Sequence, residues 1–424
     1  MSGLRVLVVG ASIAGPSTAY WLAKLGANVT VIERFPELRT GGQNVDIRSV
    51  GVAAMRKIPG MEEAVLANKY ELDGMALVRG DGSFYGTLIL TGNLEQQSIV
   101  SEYEILRGDL SRILYDMTKD NERIKYVFNE QVASLRHQQG DDGPISVEFA
   151  SGAPPAEYDL VVACDGAASR TRSMGLECSL RDYMTPAGIW GAYFTVPKVI
   201  TQAPNIGQGF GAIGGRTVVA GPDVTPEKNR IMLMAVHPRG QEEQATVPFR
   251  EAVKQGDQSL RQFVARHFAN IGWKTPEILK LMMTSDEFYA SEVNTVKLPS
   301  LHKGRFVTVG DAGYSSGLSG VGTSLAMAGA YVLAGEISKH GNDNIPAALR
   351  GYDANMKPLI DGLGQMPSVL PHFIGPQTAW GVWLRNQIFA LICWTRVLNF
   401  AQRFFSGAFD SPDKHPLPHY ENLS

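Results

Sequence analysis

The sequence predicts an α/β fold with a second, mostly β domain and helices at the C-terminal end. Three observations carry that prediction. The chain opens on an apolar strand, a small-residue turn, a helix and a second strand; two later β-branched runs each end in an Asp beside glycine; and the segments between them read as short strands punctuated by Pro and Gly. At 424 residues, 44% hydrophobic and 19% charged, the chain can bury a large core, which excludes disorder as its main state. Its 39 Lys+Arg against 42 Asp+Glu leave a formal net charge of -3, so nothing in the balance draws it to nucleic acid.

Residues 4–9 form a β-branched run that stops at Gly10, and residues 17–25 carry helix formers at helical spacing. Gly26 closes that helix, and residues 28–32 make a second strand ending in Glu33. This is a Rossmann-like βαβ unit with an acid at the tip of its second strand. Gly10 permits a tight turn, the backbone at Ser12, Ile13 and Ala14 can approach a pyrophosphate, and Gly15 lets the helix pack against the strand. The unpaired N–H groups at the helix start then face the anion, and Glu33 accepts hydrogen bonds from a ribose. A second Gly-x-Gly-x-x-Gly match at residues 209–214 is rejected, because Pro204 interrupts what precedes it and a strand, residues 216–220, follows where a helix is needed. It reads as a glycine-rich hairpin. Only one dinucleotide fold is predicted, so any second dinucleotide binds without its own Rossmann unit.

Residues 158–164 form another buried-strand run, ending in Asp165-Gly166. Residues 305–309 form a third, ending in Gly310-Asp311-Ala312, and Gly320, Val321, Gly322 and Thr323 then lead into a small-residue helix over residues 325–337. A carboxylate at a strand tip suits hydroxyl recognition, and a glycine-rich backbone at a helix start suits a phosphate or a carbonyl. The plain reading of strand-Asp-Gly is an ordinary turn.

Taken together, these segments resemble the class A flavoprotein monooxygenases, the aromatic hydroxylase family, over about residues 1–365. Gly10-Ala-Ser-Ile-Ala-Gly15 with Glu33-Arg34 is similar to that family's ADP-binding motif. Residues 159–172, with Asp165, are similar to its Asp-Gly motif, associated with both FAD and NAD(P)H, and Gly310-Asp311-Ala312 to the Gly-Asp motif that holds the FAD ribityl chain. Arg107-Gly-Asp-Leu110, at a helix start, matches the family's flavin-contacting arginine and its following leucine. Residues 41–48, with Gly42, Asn44 and Arg48, resemble the segment over the flavin in a branch that includes tetracycline-inactivating and natural-product hydroxylases. By the same resemblance Val132 joins the cofactor-binding set. Two departures stand out: Ser12 replaces the second glycine, and the loop over residues 313–317 lacks the family's proline.

The resemblance implies a Rossmann-like FAD-binding domain of the glutathione-reductase type, discontinuous over residues 1–70, 101–180 and 286–365. A substrate-binding domain over 71–100 and 181–285 and C-terminal helices with a tail over 366–424 complete it. It further implies FAD as cofactor, NADPH or NADH as transient reductant, and insertion of one oxygen atom of O2 into an electron-rich small molecule through a flavin C4a-hydroperoxide. That substrate would be phenolic, polyketide or alkaloid-like, in secondary metabolism or antibiotic modification. Two other readings stay open: a flavin dehydrogenase or oxidase, and a flavin-bearing or empty small-molecule-binding protein. A halogenase-like relative would carry Trp-x-Trp-x-Ile-Pro, whereas Trp380 and Trp383 stand three apart near the C-terminus.

In the substrate half, residues 75–78 and 84–89 read as a hairpin around Gly80-Asp81-Gly82, and 189–196, 217–220 and 231–237 as further strands. Residues 249–271 and 276–284 look helical. Trp190, Tyr193, Phe210, Arg216 and His237 fall on the strands; Tyr193, Arg216 and His237 are the candidate catalytic residues, and the plain reading of each is a packed or surface strand residue. Residues 377–409 suggest one or two amphipathic helices docked on the body, and 410–424 a tail or a wrap. Three scattered cysteines fit neither a disulfide framework nor a zinc cluster, which points to a reducing, cytoplasmic setting. The eight histidines lack metal-ligand spacing, so no metal is expected. No stretch reaches the roughly 18 apolar residues of a spanning helix, and the apolar N-terminus reads as a buried strand rather than a targeting segment. The expected protein is a soluble monomer or dimer whose partners are small molecules and O2.

Overall fold

The computed structural model describes residues 3–39, 41–70, 72–89, 103–138, 143–197, 200–203, 205–223, 225, 227–363, 373–395 and 416–423. Its first sheet is built from β1 (Arg5–Val9), β2 (Asn28–Glu33), β7 (Ile124–Phe128), β11 (Leu160–Ala163), β17 (His302–Lys303) and β18 (Phe306–Thr308). The order is β17-β18-β11-β1-β2-β7, parallel throughout except for the β17 edge. Both faces are covered, which is why these strands read as continuous apolar runs rather than alternating ones. Val6, Val8, Val29 and Val31 pack into one core with α1 (Ala14–Lys24) and α10 (Gly322–His340). Leu7, Val9 and Ile32 pack on the other side, against a three-stranded sheet of β8 (Val132–His137), β9 (Ile145–Phe149) and β10 (Ala156–Tyr158).

Helix α10 is buried on all sides from Ser324 to Ile337, as its small-residue composition allows. Helix α11 (Ile345–Leu363) covers it, and the segment 416–423 returns over it. Tyr420 donates to Glu336 Oε1 at 2.8 Å and packs edge-on against Tyr331, while Lys24 Nζ donates to the Leu423 carbonyl at 3.1 Å. The described part of the expected tail is therefore a wrap. Beside the parallel sheet lie the β3 (Asn44–Asp46) and β6 (Glu104–Leu106) ribbon and the helices α2 (Val50–Met55), α3 (Met61–Ala67), α4 (Arg107–Asp116), α5 (Arg170–Gly175) and α9 (Asp311–Tyr314).

The remaining strands are β4 (Gly74–Val78), β5 (Phe84–Ile89), β12 (Met184–Val196), β13 (Ile206–Ala212), β14 (Arg216–Pro222), β15 (Asn229–Val236) and β16 (Tyr289–Val296). They form a seven-stranded sheet in the order β16-β12-β15-β14-β13-β4-β5, antiparallel except at β13–β4. Strand alternation divides its two faces. Trp190, Ala192, Phe194 and Val196 enter a core with α6 (Glu242–Lys254), α7 (Asp257–His267) and α8 (Thr275–Met282), and the opposite face looks toward the parallel sheet's domain.

Four expectations are corrected in detail. The run over 158–164 is broken at Asp159, whose carboxylate binds the Arg5 backbone N–H at 2.8 Å and its guanidinium at 3.0 Å, so Tyr158 belongs to β10. The helix expected over 249–271 is two helices interrupted around Gly256, and the first begins ahead of Pro248. Helix α1 starts three residues before the predicted 17, with Pro16 in its first turn, where a missing N–H costs nothing. Finally, helix α12 (Ala379–Thr395) docks through Arg385, Asn386 and Phe389 while Trp380 and Trp394 stand 68% and 82% exposed, the reverse of an apolar-face-inward helix. Arg385 fits there because it lies against Gly211 of β13 and donates to Asn386 Oδ1 at 2.8 Å. Residues 396–415 of the predicted helices and tail lie outside the described residues.

Candidate functional site

Because β18, β11, β1 and β2 are parallel neighbours, their C-terminal ends share one edge of the sheet. The turn after β1 is the tightest feature of that edge. Gly10 has φ of 108°, its N–H binds the Ile32 carbonyl at 2.8 Å, and a Cβ there would stand 2.7 Å from the Cys164 carbonyl oxygen. A Cβ on Gly15 would come 1.8 Å from the Gly10 carbonyl oxygen, so only glycine lets α1 dock this closely over the strand. Glu33, at the tip of β2, accepts from the Ala11 N–H at 2.9 Å and the Phe35 N–H at 3.1 Å, which fixes its carboxylate beside the turn.

The loop after β11 is organised by its own side chains. Asp165 accepts from the Ser169 and Thr171 hydroxyls, the latter at 2.9 Å, and Ser169 caps α5 by accepting from the Arg172 N–H at 2.8 Å. Arg172 is fully buried and donates to the carbonyls of Ala167 at 2.8 Å, Ala312 at 2.9 Å and Leu180 at 3.1 Å. It thereby ties the loop after β11 to the loop after β18. Asp165 and Asp311 both keep an open side, as acids at strand tips should, yet the surrounding protein is dense enough for burial to push both carboxyls above the usual range.

A cleft of about 480 Å³ runs from this edge to the inner face of the seven-stranded sheet. Ser12, Ile13, Ala14, Gly166, Asp311, Gly320, Gly322 and Thr323 line one wall, and Tyr193, Val219, Met232 and Met234 the other. Arg107, at the start of α4, opens into it. Its guanidinium has no hydrogen-bond acceptor among the described residues, and burial, with the nearby charge of Arg39, holds it below its ordinary value. The Asp311 carboxylate likewise has no hydrogen-bond donor among the described residues. One end of the cleft is polar: Asn44, Asp46, Glu104 and Tyr70. Glu104 Oε1 accepts from Asn44 Nδ2 at 2.9 Å while Oε2 is buried without a partner among the described residues, and burial, together with the charge of Asp46, raises its carboxyl to about 7. Burial holds the Tyr193 hydroxyl up at about 12.

The structure thus brings Ser12, Ile13, Ala14, Asn44, Arg107, Asp311, Gly320, Gly322, Thr323 and Tyr193 to one cleft. Gly10, Gly15, Glu33 and Asp165 shape its strand-tip edge, and Val321 packs under it. Gly42 stands over the Arg107 side chain and accepts from Arg230 at 3.2 Å, and Arg48 is paired with Asp46 at 3.0 Å, with its N–H on Ser324 Oγ at 2.8 Å. Arg34 lies over the Phe35 ring at 4.8 Å beyond the tip of β2, and Val132 opens β8 inside the core beneath the sheet.

Arg216 and His237 are not among the cleft-lining residues, and the reason is strand parity. Arg216 donates to the carbonyls of Ile213 at 3.0 Å and His267 at 3.2 Å, capping the C-terminal end of α7. His237 accepts from Trp190 Nε1 at 3.2 Å on the α6–α8 side, where burial lowers its ring below the ordinary range, and Phe210 stacks on Trp273 at 6.0 Å. Arg172, Glu104 and Tyr70 were not singled out from sequence; for Arg172 the available signal was its place at the end of the Asp165-Gly166 motif. No cluster suited to a metal ion occurs among the described residues, and no described helix is long and apolar enough to cross a membrane.

Residues 3–364 match the family model described as "FAD binding domain". The FAD-dependent monooxygenase asL4 of Sarocladium schorii is 33% identical over 426 residues, covering 95% of each chain. The flavin-dependent monooxygenase eupH of a Phoma species is 31% identical over 403 residues, covering 90% of each. Among solved structures, the tetracycline destructase Tet(51) superposes with a TM-score of 0.76 at 25% identity, over 98% of this chain and 100% of that one. The glycine-tight βαβ turn, the acids on parallel strand tips and the antiparallel sheet across the cleft thus lie in a chain that the family model matches over residues 3–364 and that these relatives match along almost its whole length, and the chain belongs to the FAD-binding family of flavin-dependent monooxygenases.

Proposed function

We propose that this monooxygenase uses NAD(P)H and FAD to insert one oxygen atom of O2 into an electron-rich phenolic, polyketide or alkaloid-like small molecule held between the two sheets. The observation that carries the reading is the convergence of the β18, β11 and β1 tips on one cleft, with the β2 tip beside the β1 turn, where the Arg107 guanidinium and the Asp311 carboxylate have no hydrogen-bond partner among the described residues. Those two groups, with the close backbone approach at Gly10 and Gly15, fit an extended cofactor carrying phosphates and hydroxyls. In this reading Glu33 holds the adenosine ribose, the backbone at Ser12 to Ala14 faces the pyrophosphate, and Asp311 and Arg107 hold the ribityl and flavin end. The Gly320 to Thr323 backbone faces the flavin ring. When bound, FAD supplies the redox chemistry and the activation of O2.

The chain supplies position and a dry wall. Tyr193, Val219, Met232 and Met234 present apolar surface that excludes water and suits a flat, polycyclic ligand. Of the three candidate catalytic residues, Tyr193 is assigned substrate contact; Arg216 and His237 support the sheet from behind. The description of Tet(51) as a tetracycline destructase supports a polycyclic, enol- or phenol-bearing substrate and a role in antibiotic or secondary-metabolite modification. Three free thiols are in keeping with the cytoplasm. The test is NADPH oxidation by FAD-loaded protein against a panel of phenols, aromatic polyketides, alkaloids and tetracycline, followed by mass spectrometry. A product heavier by one oxygen atom, and heavier again under isotopically heavy O2, is expected. NADPH consumption that yields peroxide and no oxygenated product from any of them would overturn the reading.

A further inference from the structure

We propose that Glu104 is the proton acceptor for the substrate, taking the hydroxyl proton of a phenol or enol on its unpartnered oxygen and returning it to the product. The inference rests on the reading that the cleft holds the cofactor and a small-molecule substrate. Glu104 lies on β6 directly opposite Asp46 of β3, so both carboxylates project from one face of the ribbon toward the cleft. Asn44 Nδ2 occupies Glu104 Oε1 and fixes the carboxyl plane, leaving Oε2 buried and unpaired among the described residues. An unpaired buried oxygen is costly to leave unsatisfied, and a ligand hydroxyl in the cleft is the donor that would satisfy it. The opposite wall presents Met232 and Met234, and Arg230 on the same face of β15 is already held by Asp223 at 2.9 Å and the Gly42 carbonyl at 3.2 Å, so a ligand lying between the sheets turns its polar edge to the Asn44–Glu104–Tyr70 end.

The groups facing Glu104 set its proton affinity. From the ribbon itself Asp46 raises it and the Asn44 hydrogen bond lowers it, and Arg48, two residues beyond β3, lowers it further. Tyr70 follows from the segment entering β4; its N–H binds the Glu104 carbonyl, and its hydroxyl binds the Pro222 carbonyl near the Arg230–Asp223 ion pair. Burial dominates, and the carboxyl titrates at about 7, close to the operating pH at which a general base is most effective. In the step, the substrate O–H bond breaks and a Glu104 O–H bond forms. Negative charge passes from the carboxylate to the substrate oxygen, and the electron density of the attached ring or double bond rises before oxygen insertion. The proton then returns to the oxygen of the product, and Glu104 is regenerated.

The test uses FAD-loaded full-length protein and 2-naphthol, a phenol that stays neutral in solution from pH 6 to 8. For a group titrating at about 7 the ionised fraction rises about tenfold over that interval, so the dissociation constant of the wild-type protein for 2-naphthol should fall by about that factor. In Glu104→Gln, whose amide oxygen can still accept from Asn44, binding should be weaker at pH 8 and flat with pH. Equal pH profiles in the two proteins, or no binding of 2-naphthol by the wild type, would overturn the inference. Should the variant fail to fold, a wild-type profile flat from pH 6 to 8 would overturn it alone. Flavin absorbance and reduction by NADPH are recorded in the same samples: a protein that holds and reduces FAD yet shows no Glu104-dependent profile refutes this inference alone, whereas one that cannot hold FAD refutes the proposed function.

Discussion

Single carboxylates at the strand-tip edge differ in what they are free to do. Asp165 accepts from the Ser169 hydroxyl and from the Thr171 hydroxyl and N–H, Glu33 from two backbone N–H groups, and Asp311 from no donor among the described residues. Asp311→Ala should therefore weaken FAD binding by about 1.5–3 kcal/mol, the worth of a hydrogen bond to a charged group, or roughly tenfold or more. Flavin content at purification and an FAD titration measure it; unchanged affinity would remove Asp311 from the cofactor site. Glu104 gives a prediction of the opposite kind. Its folded carboxyl titrates above its unfolded value, so the native state binds the extra proton, and stability falls as pH rises from the ordinary Glu range to about 7. Glu104→Gln should accordingly be more stable than wild type at pH 8, on the order of 3 kcal/mol, with the gap closing toward pH 4.5. Urea melts at several pH values decide this, and a gap that widens in acid would contradict it. Asp311 and Glu33 were legible in the sequence because each follows a β-branched run. Glu104 was not, since its role arises from contacts with β3 that no local pattern announces, and for Arg172 the end of the Asp165-Gly166 motif marked the residue but not its bond to Ala312.

At the level of elements, what reads from sequence is what local chemistry determines. The β1 turn and α1, the β4–β5 hairpin and the rejection of residues 209–214 as a second nucleotide turn all follow from glycines, β-branching and spacing, and the structure has each of them. Which face a strand residue takes was not legible. Tyr193 and Trp190 differ by three positions on β12, so one meets the cleft and the other the α6–α8 core, and nothing local says which. The same holds for α12, whose docking through Arg385 depends on Gly211 in a distant strand. The terminal wrap makes the clearest element-scale prediction. Tyr420 is almost fully buried against α10, and its ring faces Gly335, which has no side chain to compete for the space. Tyr420→Ala should cost about 3–5 kcal/mol, as large-to-small aromatic changes in a core do, and should lower the urea midpoint. A loss below about 1 kcal/mol would mean the wrap is dispensable for the fold.

For the molecule as a whole, the arrangement is two sheets with separate cores and a cleft where their inner edges meet. One sheet brings four strand tips to a line; the other offers an apolar wall. Both were foreseeable as classes of structure, because the apolar runs of a parallel sheet and the Pro- and Gly-punctuated strands of an antiparallel one have different signatures. Their mutual placement, and with it the polar end formed by Asn44, Glu104 and Tyr70, needed the folded chain. The claim on which the account stands is that this line of strand tips grips one extended cofactor. A crystal structure of the full chain reconstituted with FAD tests it most directly. The pyrophosphate is expected at the start of α1, the adenosine ribose within hydrogen-bond distance of Glu33 and the ribityl chain within reach of Asp311. FAD lying away from those residues, or a cleft that takes up none at saturating concentration, would contradict it.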